Sequence, residues 1–275
     1  MSFIIALLSG DGGVGKTTLV AALGARLAAA GRKALVIDCC AGFRRLDMML
    51  GMESRVMYDA GDAASGYCQP ERAVLRDSAR KLPDLLAAPY DADTPPDEDL
   101  WARMLDSYRK QYDWIALDTP TGTGPWAMMA ARLADRAYVV LSPDDGSMRS
   151  AERVLERLRL EGHERSQSAM LIINKLRLSY IDQGIQYAPD VVIQTLDAQV
   201  VGVIPEDENL RMAAALARLD ELDAKAPVVL ELDALARRTM GAPLPKGWMV
   251  AKSSRFLQNI GVKSGTKATL KEVWV

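Results

Sequence analysis

The chain has 275 residues, 49% hydrophobic and 25% charged, values ordinary for a soluble globular protein that exclude disordered and fibrous classes. Lys and Arg number 34 against 36 Asp and Glu, a net charge of −2, so no global basic field recruits nucleic acid. Three cysteines, two of them adjacent, cannot build a disulfide framework, and no apolar run approaches the roughly 20 residues that span a bilayer.

Residues 1–8 open the chain with an apolar stretch that no positive charge precedes and that runs straight into glycines. This predicts a strand rather than a secretory signal, and with the cysteine usage it predicts a cytoplasmic protein. Residues 3–8, 33–37, 114–117, 137–141, 170–173 and 200–204 are short unbroken apolar runs, the pattern of strands buried on both faces. Between them, 17–30, 99–111, 127–135, 147–160 and 210–219 have helical spacing, and a further helical segment at 225–239 closes the series. The alternation predicts an α/β fold, a doubly wound, mostly parallel sheet with helices on both faces and its ligand site at the carboxyl ends of the strands. Residues 87–96 form a Pro/Asp-rich loop and 179–189 a second irregular region. The composition changes after Gly241, which predicts a domain over 1–240 and a separate tail over 241–275.

Immediately after the first strand stands Ser9-Gly10-Asp11-Gly12-Gly13-Val14-Gly15-Lys16-Thr17-Thr18, a match to G-x-x-x-x-G-K-[ST]. Phosphate oxygens need several backbone N–H donors aimed at one place, which residues without side chains permit at the N-terminus of a helix. Lys16 adds a point charge at the β/γ-phosphates, and the Thr17 hydroxyl is suited to Mg²⁺. Asp38 and Asp118 end two other strands, where carboxylates can hold metal-bound water; the plainer reading is that each begins a turn or caps a helix.

These residues resemble a known family. The loop 12–18, the segment 37–47 that contains Asp38 and Cys40, Asp118-Thr119-Pro120-Thr121-Gly122, and Val201-Gly202-Val203-Ile204-Pro205-Glu206-Asp207 are similar to the MinD branch of the MinD/ParA ATPases, whose P-loops are of the deviant Walker A kind. The resemblance covers about residues 1–240. It implies a P-loop NTPase domain that binds ATP or ADP with Mg²⁺ and forms a homodimer around two nucleotides. It further implies that hydrolysis switches the binding of MinC- and MinE-like partners and of the membrane during division-site placement. Carried over by position, Gly12, Gly13, Val14, Gly15, Lys16, Thr17 and Thr18 cradle phosphate, Asp11 is counted with them in the nucleotide-binding loop, Thr17 ligates Mg²⁺, and Lys16, Asp38 and Asp118 are the candidate catalytic residues, the two aspartates serving the outer metal shell. Asn174 matches the adenine-reading Asn, against the plainer reading of a strand-end turn residue. Pro205 and Asp207 match the loop that closes over the base.

The chain departs from this pattern at three places. Family members carry a lysine just before the Gly-Gly pair, and here it is Asp11; two unit charges 4 Å apart interact by about 4 kcal/mol at an effective dielectric of about 20, so a carboxylate aimed at the triphosphate opposes binding. The family's Asp-x-Asp is here Asp38-Cys39-Cys40, which places a thiol of little basicity where a carboxylate orients the attacking water. The family's Ser-x-Arg-Asp is here Ser147-Met148-Arg149-Ser150. Slow or absent hydrolysis is the expected consequence. The rival readings are a non-catalytic nucleotide-binding scaffold and a ParA-like partitioning ATPase, the second disfavoured by the balanced charge. Adjacent Cys39 and Cys40 point to opposite faces if still on the strand, poor geometry for one tetrahedral metal, and Cys68 is distant in sequence, so the cysteines read as small core or strand-end residues rather than as metal or redox groups. His163, in a polar loop, reads as a surface residue. Placed on a helix, Met249, Phe256, Leu257 and Ile260 share one side flanked by Lys252, Arg255 and Lys263, a pattern suited to a peripheral membrane contact.

Overall fold

The computed structural model describes residues 2–161 and 169–243. His163 and the proposed membrane-contacting segment of the tail lie outside the described residues. Among those described, eight strands form one sheet: β1 (Phe3–Leu8), β2 (Ala34–Asp38), β3 (Val74–Leu75), β4 (Asp84–Leu86), β5 (Trp114–Asp118), β6 (Arg136–Leu141), β7 (Met170–Leu176) and β8 (Val200–Pro205). Their order is β3-β4-β2-β5-β1-β6-β7-β8, and β3 alone runs antiparallel to its neighbour. The helices are α1 (Lys16–Ala29), α2 (Leu46–Leu50), α3 (Ala60–Ser65), α4 (Pro70–Ala73), α5 (Glu98–Arg109), α6 (Pro125–Leu133), α7 (Asp145–Leu160), α8 (Leu178–Asp182), α9 (Pro189–Leu196), α10 (Glu208–Ala215) and α11 (Pro227–Thr239).

The period-2 geometry of the strands divides the core into two layers. Ile4, Ala6 and Leu8 pack on one face with α5, α6 and α7, while Ile5 and Leu7 pack on the other with α1, α10 and α11. Helix α1 is apolar almost all round, with Leu19, Val20, Leu23 and Leu27 buried, because it is enclosed by the sheet and by α11. Gly24 lets it approach closely, since a Cβ there would come within 2.8 Å of the Pro83 ring. The irregular region expected over 179–189 contains the short helix α8, too brief for its periodicity to be read in the sequence.

Register decides what happens at the carboxyl edge. Asp38 and Asp118 are partners across β2 and β5, so both carboxylates project to the same face of the sheet, the α1 face. Cys39, one residue on from Asp38, turns to the opposite face and is fully buried in the other core layer.

Candidate functional site

The loop between β1 and α1 is shaped by two glycines with different constraints. A Cβ on Gly10 would lie 2.2 Å from the Ser150 carbonyl oxygen of α7, so no side chain fits there. Gly15, at the N-cap of α1, has φ +94 and would press a Cβ within 2.5 Å of Asn174 Nδ2. The amide nitrogen of Asn174 donates to the Val14 carbonyl at 2.8 Å, and Lys175 Nζ donates to the Gly13 carbonyl at 2.6 Å. The end of β7 therefore holds the loop from above, and Lys175 does so from a left-handed conformation, φ +57.

A cleft of about 560 Å³ opens over this loop. Its wall includes Gly12, Gly13, Gly15, Lys16, Thr17 and Thr18 from the loop, Cys40 after β2, Asn174 from β7, and Pro205 and Asp207 at the end of β8. Four separate strand ends thus bring their sequence-predicted residues to one place, as a doubly wound sheet requires. Val14 supplies backbone only, its side chain being buried beneath the loop. The Asp207 side chain accepts from Leu210 N at 2.8 Å and caps α10. Lys175, Arg45, Phe43 and Arg211 also line the cleft and were not singled out by sequence reasoning. A lysine directly after the strand-end Asn174 was the signal available for the first.

Asp11 turns away from the cleft. Its Oδ1 accepts from the Ser150 hydroxyl at 2.8 Å, so two of the positions expected from the resemblance to differ from the family pattern touch each other. The carboxylate is tied to α7 and is not aimed at a phosphate bound over Gly12–Thr18.

Lys16 is buried, with Nζ donating to Ser9 Oγ at 2.5 Å and to Thr121 Oγ1 at 3.4 Å. Burial lowers its pKa, opposed by the nearby Asp118 and Cys40. Asp38 is 1% exposed; Oδ1 accepts from Cys40 N at 2.8 Å and Oδ2 from the N–H groups of Arg45 and Leu46, each at 3.3 Å. Burial raises its pKa against those donors. Asp118 is equally buried, yet neither carboxylate oxygen has a hydrogen-bond partner. Burial first, and then the Asp38 charge, push its pKa up to about 7; the Thr17 hydroxyl opposes this without making a bond of ordinary geometry. An orphaned buried carboxylate beside a threonine hydroxyl and a second aspartate fits a hydrated hard cation such as Mg²⁺.

A glycine loop feeding a helix at the centre of a parallel sheet, with a buried lysine and a strand-end aspartate pair, defines a P-loop nucleotide-binding fold. The comparisons place it more narrowly: residues 5–218 match the CobQ/CobB/MinD/ParA nucleotide binding domain, and the chain belongs to that family. It is 30% identical over 276 residues to the septum site-determining protein MinD of Bacillus subtilis, covering 96% of this chain and 100% of that one. It is 32% identical over 216 residues to MinD of Helicobacter pylori, covering 76% and 80%. Among solved structures, it superimposes with a TM-score of 0.79 on a chain of the MinC:MinD cell division protein complex of Aquifex aeolicus, at 32% identity over 89% of this chain and 98% of that one.

Proposed function

We propose that the protein is a MinD-like, Mg-ATP-binding regulator of division-site placement, or of a related positioning system, in which nucleotide binding is retained and hydrolysis is weak. The observation that carries the binding half is the convergence of Gly12–Thr18, Lys16, Asn174 and Pro205 on one cleft of about 560 Å³. In this reading the Gly12, Gly13 and Gly15 backbone surrounds the phosphates and Lys16 leaves Ser9 to neutralise them. Thr17, with Asp38 and Asp118 behind it, holds the magnesium, which supplies charge neutralisation at the phosphate oxygens when bound. Asn174 keeps its side-chain oxygen for the base, its nitrogen being engaged by Val14.

Two residues support the weak-hydrolysis half. Cys40 stands on the cleft wall where a carboxylate would orient water, and burial together with Asp118 and Asp38 raises its thiol pKa, so it stays protonated and cannot accept a proton. Asp11, bound to Ser150, offers no positive charge to a partner subunit's phosphates. A MinC-like partner is supported by the likeness to a chain of the MinC:MinD complex of Aquifex aeolicus, and a nucleotide-dependent homodimer by the family resemblance alone. A membrane contact through the tail rests on the amphipathic pattern alone.

Equilibrium binding of a fluorescent ATP analogue with Mg²⁺ tests the binding half. A hydrogen bond to a charged group contributes about 1.5–3 kcal/mol, so Lys16→Ala is expected to weaken the analogue at least about tenfold. Equal affinity in the variant would remove the cleft as the nucleotide site.

A further inference from the structure

Asp38, Cys40 and Asp118 each offer one donor atom, and the three, one carboxylate oxygen from each aspartate and Cys40 Sγ, all lie within 4.8 Å of one another. The backbone explains the arrangement: Asp38 and Asp118 are register partners on β2 and β5, and Cys40 follows Asp38 by two residues. What separates this cluster from an ordinary acidic group is Asp118, 1% exposed with both oxygens unpartnered and no ion pair among the described residues. Leaving such a carboxylate unsatisfied is costly, so something absent from the protein itself is expected to meet it.

We propose that Asp38, Cys40 and Asp118 form a direct three-donor site for a thiophilic divalent cation of the zinc class, with a fourth position open to the cleft. A thiolate is a soft ligand, which selects Zn²⁺ or Cd²⁺ over Mg²⁺. Zn–S bonds of about 2.3 Å and Zn–O bonds of about 2.0–2.2 Å put tetrahedral donors about 3.5 Å apart, so the observed cluster closes by about 1 Å of side-chain movement. On binding, the Cys40 S–H bond breaks, the proton leaves to solvent and the sulfur lone pair forms the metal bond, with no change of oxidation state. The charges then balance: two carboxylates and one thiolate face one dication and Lys16, which lies close enough to act on both Asp118 and Cys40. Because Cys40 forms part of the cleft wall, the open position faces the nucleotide pocket, where water or a phosphate oxygen can complete the tetrahedron. Cys39 and Cys68 are buried elsewhere in the core and take no part.

The site shares its two aspartates with the magnesium position proposed above, so it is tested on nucleotide-free, full-length protein, where failure to bind the soft cation leaves the nucleotide reading to its own titration. Cd²⁺ is titrated while the ultraviolet thiolate-to-metal charge-transfer absorbance is recorded. The native chain is expected to show one saturable transition, kept in Cys68→Ser and lost in Cys40→Ser. Since losing an outer-shell partner alone typically costs 10–100-fold in metal affinity, Asp118→Asn is expected to weaken Cd²⁺ at least about tenfold with the thiol intact. Thermal unfolding of each variant shows that it is folded. An absent band in native protein, a band that persists in Cys40→Ser, or unchanged affinity in folded Asp118→Asn would each overturn the proposal.

Discussion

Asp118 carries a charge where the fold gives it nothing to bond. Its neighbours are Asp38, Thr17, Cys40, Lys16 and Arg45, and burial and the Asp38 charge, opposed by the Thr17 hydroxyl and then by the two cations, leave its pKa at about 7, raised from 3.8. A carboxyl whose folded pKa is raised binds its proton more tightly in the native state. Stability of the nucleotide- and metal-free protein is therefore expected to fall as pH rises from about 4 through about 7, and to level off above that range. Asp118→Asn is expected to flatten the slope, leaving the part due to Asp38, whose pKa burial also raises, and each 1 kcal/mol of relief at pH 8 would raise the unfolding midpoint by about 2–4 °C in a chain of this size. A variant with the same pH profile as the native protein would show that Asp118 is satisfied in solution. Gly15 makes the second prediction at this scale: Gly15→Ala meets both a left-handed φ, costing about 1–2 kcal/mol, and Asn174 Nδ2 at 2.5 Å. It is expected to lose nucleotide-analogue affinity as well as stability, in a titration and a melt run side by side. The loop residues themselves were legible, since G-x-x-x-x-G-K-T after an apolar run has a mechanism for each letter. Where Asp11 points was not, because its partner Ser150 lies 139 residues away and only the folded chain brings α7 against Gly10.

Elements of five residues or more with a clean period were read nearly at their ends: α1, expected over 17–30, runs Lys16–Ala29, and β5, expected over 114–117, gains Asp118. The strands β3 and β4 have two and three residues, too few for alternation to be distinguished from loop, and they form on the edge of a sheet already nucleated by β2. Helices α2, α3 and α4, of five, six and four residues, and α9, of eight, were not read in the sequence, although α3 carries a capping box between Asp59 and Asp62 that a search for caps would find. The last helix is fixed to the sheet by a buried bond that is invisible in the sequence: Trp114 Nε1 donates to Thr239 Oγ1 at 3.0 Å. Thr239→Val preserves the volume and strands the indole N–H in the core. It is expected to cost about 1–3 kcal/mol in denaturant unfolding with little change in nucleotide affinity. A neutral result would mean that water reaches the indole.

Over the whole molecule, the cleft is where topology, glycine chemistry and burial agree. The Asp11 carboxylate is bound to Ser150 of α7, and the Cys40 thiol stands beside the Asp38 and Asp118 carboxylates. A nucleotide-binding site with the binding parts in place and the water-orienting part exchanged is expected to hold Mg-ATP far longer than it takes to bind it. Among the described residues no helix is long and apolar enough to cross a membrane. The most direct test is single-turnover phosphate release from Mg-ATP-loaded protein, comparing the native chain with the Asp11→Lys/Cys40→Asp double variant. Removing one group that stabilises developing charge commonly costs about 10²–10³ in rate, so the double variant is predicted to release phosphate at least about tenfold faster than the native chain. Native release as fast as that of the double variant would contradict the account.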